Sequence, residues 1–297
     1  MTDRFIAYIE RERRYSPLTV RNYRHDIECF AAWWCDYYGR QEFAPAEVTA
    51  EDVRERVMQR VECLAPASVN RELSSLKSFF RYLRSRGEVS SDIFKRVSQL
   101  KKPHRLPTFV PETKMESVLE QVRHESDAGA FRQQRNALII SLLYGCGIRL
   151  AELCGVKMAD VTPDGMLHVR GKGDKERIVP LQPALAKRIE RYVAVLRERG
   201  FATTADAPLI VGNKGRALSR ATIQRVVRDE LSVADVKGRK SPHVLRHTFA
   251  THLLNRDADL REIQELMGHE SLQTTQVYTH NSISRLKGTY SKAHPHG

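Results

Sequence analysis

The sequence predicts a mainly α-helical protein with one small β-sheet, divided into two domains. Three observations lead there. Apolar residues recur at three- and four-residue steps through most of the chain, the pattern of helices with one buried face. The period changes once, near residues 166–180, to strand-like segments separated by glycines. Three prolines at four-residue intervals, Pro103, Pro107 and Pro111, interrupt a chain of 297 residues, longer than one domain usually is.

The elements follow in order. Ser16 before Pro17 reads as an N-cap with proline at the first helical position, and Val20, Tyr23, Ile27, Phe30, Trp34 and Tyr37 then mark one apolar stripe up to Gly39. Arg21, Arg24 and His25 lie along its polar side. A second helix is expected from about Ser68 to Gly87, with Val69, Leu73, Leu76, Phe79 or Phe80, and Leu83 inward and Arg71, Lys77, Arg81 and Arg84 outward. The aromatics are read as core and the arginines as candidate contacts to a polyanion. Proline spacing excludes helix over residues 101–111, so this segment, with Lys101, Lys102, His104 and Arg105, is expected to be a linker between domains at 1–100 and 112–297.

Beyond it the near-continuous apolar run 131–144 predicts a buried helix. Residues 166–170 and 176–180 predict a β-hairpin turning at Gly171-Lys172-Gly173-Asp174-Lys175. Helical patterns resume over 183–199, 219–231, 242–255 and 260–267.

A formal charge of +13 fits a polyanionic partner, and both halves carry it: residues 1–102 hold 19 basic and 15 acidic side chains, the remainder 30 and 21. Five scattered cysteines, Cys29, Cys35, Cys63, Cys146 and Cys154, show no C-x-x-C spacing, which argues against a disulfide framework or a zinc site. The N-terminus shows no signal-peptide pattern and no apolar run is long enough to span a bilayer, so a soluble cytoplasmic protein, not bound to membrane, is expected.

Chemistry is concentrated in the second half. Arg149 follows the break Gly145-Cys146-Gly147-Ile148, which would let an arginine turn inward from an anchored position. His243 and Arg246 stand three apart at the start of a helical pattern, on one face and near a helix N-terminus suited to anions. His269 follows Gly268, a candidate helix C′ residue. With Lys172 in the hairpin turn, these side chains suit a phosphate whose charge rises during reaction, and Tyr278 supplies a phenolic nucleophile. Each alone has an ordinary explanation: a surface arginine, a satisfied histidine, a core tyrosine.

Taken together, Arg149-Leu150-Ala151-Glu152-Leu153, Lys172, the string 241–252 containing His243-Val244-Leu245-Arg246, Leu266-Met267-Gly268-His269 and Thr274-Thr275-Gln276-Val277-Tyr278 resemble, in order and separation across about residues 110–290, the tyrosine recombinases of the integrase family. The N-terminal segment 15–23 and the short tail make the chain similar to the Xer subgroup, in particular to its XerC-like members. The resemblance implies a SAM-like helical domain that binds core DNA, followed by a catalytic recombinase domain.

It also implies roles. Tyr278 would attack the scissile phosphorus, giving a 3′-phosphotyrosyl enzyme and a free 5′-hydroxyl. Arg149 and Arg246 would hold the non-bridging oxygens, with His269 adding a donor; His243 would help accept the phenolic proton and Lys172 would protonate the leaving 5′-oxygen. Rejoining would need no ATP, metal or other cofactor. Implied partners are double-stranded DNA, a homo- or hetero-tetramer on two sites with a XerD-like recombinase, and a DNA-translocase activator, for resolving chromosome dimers at a dif-type site during cell division. The tail from Ser282, with Ile283, Leu286 and Tyr290 at helical steps, would dock on a neighbouring subunit.

Other readings stand beside this one. His243, His247 and His252 lie four and five apart, as metal ligands can, although Val244 stands where the zincin pattern needs Glu. A non-catalytic DNA-binding regulator would share the charge and helicity. A phage or mobile-element integrase, or a type IB topoisomerase, would share the chemistry.

Overall fold

A computed structural model describes residues 1–101, 109–127, 131–171 and 176–268, with side chains left out at 123–127. The chain divides into two compact units, Met1–Arg105 and Leu106–Gly297. The mainly helical class with a small sheet is confirmed.

The first unit begins with α1 (Thr2–Ala7), which runs on into a π-helical turn over Tyr8–Glu12. Helix α2 (Pro17–Tyr38) starts as its sequence dictates: Ser16 Oγ accepts the Thr19 N–H at 3.2 Å, and Gly39 ends it at φ +62°. Helix α3 (Ala50–Cys63), which the apolar periodicity did not reveal, is set by a reciprocal cap: Thr49 Oγ1 accepts the Asp52 N–H, and Asp52 accepts the Thr49 N–H at 2.8 Å. Helix α4 (Pro66–Ser85) begins two residues before Ser68, because Pro66 serves as its first residue.

Ile27, Phe30 and Trp34 of α2 pack with Leu76, Phe79 and Leu83 of α4 and with Phe5 of α1. The expected apolar faces are therefore largely the buried ones; Tyr37, expected on the α2 stripe, is instead exposed in its last turn. Two of the outward arginines are engaged within the unit: Arg71 donates to buried Asp26 at 2.6 Å, and Arg84 pairs with Asp92 at 2.9 Å. Asn70 pins the chain leaving this unit, donating to the Leu100 carbonyl and accepting the Leu100 N–H at 2.9 and 2.8 Å.

The second unit is built round α6 (Phe131–Gly145), buried along nearly its whole length. Against it lie α5 (Glu112–Asp127), α8 (Pro183–Glu198), α9 (Arg220–Val233) and α10 (Pro242–Asn255). Strands β1 (Met166–Arg170) and β2 (Glu176–Pro180) form the expected antiparallel hairpin, with Leu167 opposite Val179 and Val169 opposite Arg177. The short α7 (Leu150–Leu153) follows α6, and α11 (Leu260–Met267) closes the described chain, ending at Gly268 with φ +61°.

The chain entering this unit is also pinned. Val110 donates its N–H to Thr248 Oγ1 at 2.9 Å, and its carbonyl oxygen lies 2.9 Å from His252 Nε2. Most of the expected linker, residues 102–108, lies outside the described residues, as do Lys172 and its turn, His269, Tyr278 and the tail from Ser282. No helix of the described residues is long and apolar enough to cross a membrane.

Candidate active site

The glycine break after α6 does more than turn the chain. Gly147 adopts φ +58°, and a Cβ there would fall 2.3 Å from the Phe249 ring of α10. Glycine at this position thus lets the loop lie flat on α10, with Cys146 and Ile148 buried on either side. Arg149 comes next, as the N-cap of α7.

Helix α11 supplies the other half of the site. Its capping residue Gly268 turns its N–H back to the carbonyls of Gln264 and Glu265, so among the described residues no main-chain N–H of the helix reaches the carbonyls of Leu266, Met267 and Gly268. Each is taken by a different arginine. Arg177 Nε donates to Leu266 O at 2.8 Å, Arg246 Nη2 to Met267 O, and Arg149 Nη2 to Gly268 O at 3.2 Å. Three cations at the negative end of a helix dipole is also the favourable electrostatic arrangement.

One carboxylate holds this cluster together. Glu152 of α7 accepts the Arg149 N–H on Oε2 at 2.7 Å and Arg149 Nη1 on Oε1 at 2.8 Å. The same oxygens receive Arg177 Nη2 at 2.8 Å and Nη1 at 3.0 Å. Burial alone would raise the carboxyl pKa, but hydrogen bonds and charge from Arg177, then Arg149, pull it down to about 2. Arg246 is buried, and desolvation, then the charges of Arg149 and Arg177, lower its pKa to about 10. It remains cationic at neutral pH, so three positive charges face one negative charge and the pocket carries a net surplus suited to a phosphate.

Arg149 and Arg246 are thus brought together, on adjacent carbonyls of α11. Arg149 does not turn inward as expected: its side chain stays at the rim, 44 % exposed, because Glu152 and Gly268 hold it there. The shared helix face of His243 and Arg246 also divides by depth. Arg246 is buried and donates from Nη1 to Gly147 O, whereas His243, in the first turn of α10, is exposed. Lys172, His269 and Tyr278 lie outside the described residues; Gly268, immediately before His269, is the left-handed cap the sequence suggested.

The three spaced histidines do not share one site. His252 is buried between the Tyr144 hydroxyl, 2.9 Å from Nδ1, and the Val110 carbonyl, whereas His243 is exposed. Among the described residues no three His, Cys, Asp or Glu side chains gather in a way that would hold a metal ion.

Sequence reading gave no role to Arg177 or Glu152. A signal for Arg177 exists: in β2 it shares a buried phase with Val179, while Ile178 between them is only half-buried. A charged residue on the inward phase of a strand demands a buried partner.

Comparison with known proteins matches residues 110–285 to the phage integrase family and residues 2–87 to the phage integrase N-terminal SAM-like domain. Tyrosine recombinase XerC of Pelobacter propionicus is 38 % identical, over 98 % of this chain and 94 % of its own length. Tyrosine recombinase XerD of Lacticaseibacillus casei is 33 % identical, over 99 % and 98 %. Among solved structures, the XerH site-specific recombinase bound to palindromic difH substrate in a post-cleavage complex superposes with a TM-score of 0.71 at 25 % identity, covering 98 % of this chain and 84 % of that one.

Proposed function

The chain belongs to the phage integrase family, as a site-specific tyrosine recombinase that cuts and rejoins DNA, and from that premise we propose that Tyr278 is its nucleophile and Arg149 and Arg246 its phosphate ligands. The observation that carries this reading is the convergence of those two arginines on Met267 O and Gly268 O, the last carbonyls before His269.

The chemistry follows from the residue types. The phenolic oxygen of Tyr278 bonds to phosphorus, the bond to the 5′-oxygen breaks, and the 3′-phosphate is left on the enzyme. His243 takes the phenolic proton and Lys172 delivers one to the departing oxygen. Charge grows on the non-bridging oxygens as the new bond forms, and fixed guanidinium donors from Arg149 and Arg246, joined by His269, meet it there. The phosphotyrosyl ester keeps the energy of the broken bond, so attack by a 5′-hydroxyl reverses the step without ATP.

The biological setting rests on the relatives. Full-length similarity to XerC and XerD proteins, and to a XerH bound to difH, supports a dif-type target, a tetramer on two sites that includes a XerD-like partner, and resolution of chromosome dimers. Residues 1–100 would bind core DNA and residues 112–297 would cleave it, with 101–111 joining them.

A nicked suicide duplex separates this reading from a non-catalytic regulator. Wild-type protein should form a covalent adduct and Tyr278→Phe none; an adduct in the variant, or none in the wild type, overturns it. Sequencing the trapped DNA identifies the site.

A further inference from the structure

The reaction proposed above gives no task to Arg177, although Arg177 is the most completely bonded arginine of the cluster. Its side chain is 7 % exposed and that of Glu152 3 %. Its fork covers both carboxylate oxygens and its Nε takes the Leu266 carbonyl. Gly268 packs against its stem, where a Cβ would lie 3.2 Å from Arg177 Cδ.

Glu152 explains what the arrangement achieves. Each of its oxygens is bonded once by Arg177 and once by Arg149. Were Arg177 absent, the buried carboxylate would have Arg149 as its remaining hydrogen-bonded arginine, and Arg149 would be drawn from the rim to cover both oxygens. A guanidinium committed in that way competes poorly for a phosphate. With Arg177 in place, each carboxylate oxygen already has one donor and the carboxylate plane is fixed, so Arg149 stays at the rim, bonded to Glu152 by Nη1 and its main-chain N–H and to Gly268 O by Nη2.

We propose that Arg177 is a positioning residue for strand cleavage: it orients Glu152 so that Arg149 faces the scissile phosphate, and through Leu266 it fixes the C-terminal end of α11. Charge alone does not perform this task, because lysine cannot present two parallel N–H groups to a carboxylate. Arg177 also belongs to β2, five residues after Lys172 in the sequence. The inference rests on reading Arg149 as a phosphate ligand, and the test keeps the two apart.

The experiment uses full-length protein and a nicked suicide duplex carrying the sequence recovered from DNA trapped on the wild type. Adduct formation is timed in single turnover at saturating protein, alongside duplex affinity and thermal stability, for Arg177→Lys, Arg149→Ala and the double variant. The expected result is cleavage slowed about 10- to 100-fold by Arg177→Lys, at nearly unchanged affinity, as for other supporting residues whose loss misaligns a reactive group. In the Arg149→Ala background the same substitution should add less than about 2-fold, since the group it positions is gone. A wild-type rate for Arg177→Lys, or full additivity in the double variant, overturns the proposal. If Arg177→Lys fails to fold, Arg177→Met combined with Glu152→Gln removes both buried charges: slow cleavage by that folded variant supports positioning of Arg149, and a wild-type rate refutes it. A wild-type rate for Arg149→Ala sinks the phosphate-ligand reading itself, a different outcome from normal cleavage in the Arg177 variants alone.

Discussion

The imidazole of His252 holds the carbonyl oxygen of Val110, 142 residues earlier in the chain, at 2.9 Å from Nε2. Because a carbonyl only accepts, Nε2 carries the proton, and Nδ1 is left to accept from the Tyr144 hydroxyl at 2.9 Å. The neutral tautomer is thereby fixed. The same helix that presents His243 and Arg246 thus also fastens the entry of the second unit.

Acid should therefore loosen this unit. Burial pushes the His252 pKa below its ordinary 6.5, so the unfolded chain binds its proton first. The sign is that of a depressed base: stability is full above about 6.5 and falls as the pH drops below it, levelling off under the folded value. His247, lowered by burial and by His243, adds the same sign. The diagnostic is a urea-midpoint series from about pH 7.5 to 5.5, in which His252→Gln should flatten the slope relative to wild type; equal slopes would refute the assignment. The Glu152 carboxyl, held at about 2, contributes fully above 4.5 and is lost only as pH falls from there, so the two effects separate.

Gly147→Ala should destabilise by about 2–4 kcal/mol, from a left-handed backbone that disfavours alanine together with overlap on Phe249. Because the overlap is with a ring edge, adding Phe249→Leu should recover part of the loss. Strictly additive losses in the urea midpoints would show that the two side chains do not meet. Gly147 O also receives Arg246, so the variant should cleave slowly even where it is folded.

Removing Arg246 tests the buried cation. Arg246→Lys keeps the charge but cannot reach Gly147 O and Met267 O together, and its adduct formation should fall about 10²–10³-fold, the usual loss for one donor aimed at developing charge. Duplex affinity should change far less. Cleavage within about 3-fold of wild type would remove Arg246 from the transition state.

Binding to duplex DNA should be strongly salt-dependent. With +13 formal charge spread over both halves of the chain, raising salt from about 50 to 200 mM should weaken it by 10³-fold or more, as for proteins that meet many phosphates. A shallow slope in a fluorescence-anisotropy titration would mean that one unit alone touches the backbone.

Much was legible in the sequence itself, for local reasons. Ser16-Pro17 and Gly39 bound α2 because caps and breaks act within one turn, and the hairpin register follows from alternation around a glycine turn. Helix α3 escaped because its inward stripe is thin, Val53 and Val57, while Met58 and Val61 are exposed. The order of Arg149, His243, Arg246 and Tyr278 sufficed for the family, since spacing along the chain is itself sequence information.

The arrangement of the pocket belongs to another level. Arg177 meets Leu266 across 89 residues, Arg246 meets Gly147 across 99 and Arg149 meets Gly268 across 119. No periodicity encodes bonds of that span. Composition, caps and spacing determined the helices, the hairpin and the kind of chemistry. Only folding decided that three arginines would share the last carbonyls of α11 and its cap, and that two of them would share one buried carboxylate, because an unpaired charge or carbonyl inside a protein must find its partner wherever packing brings one.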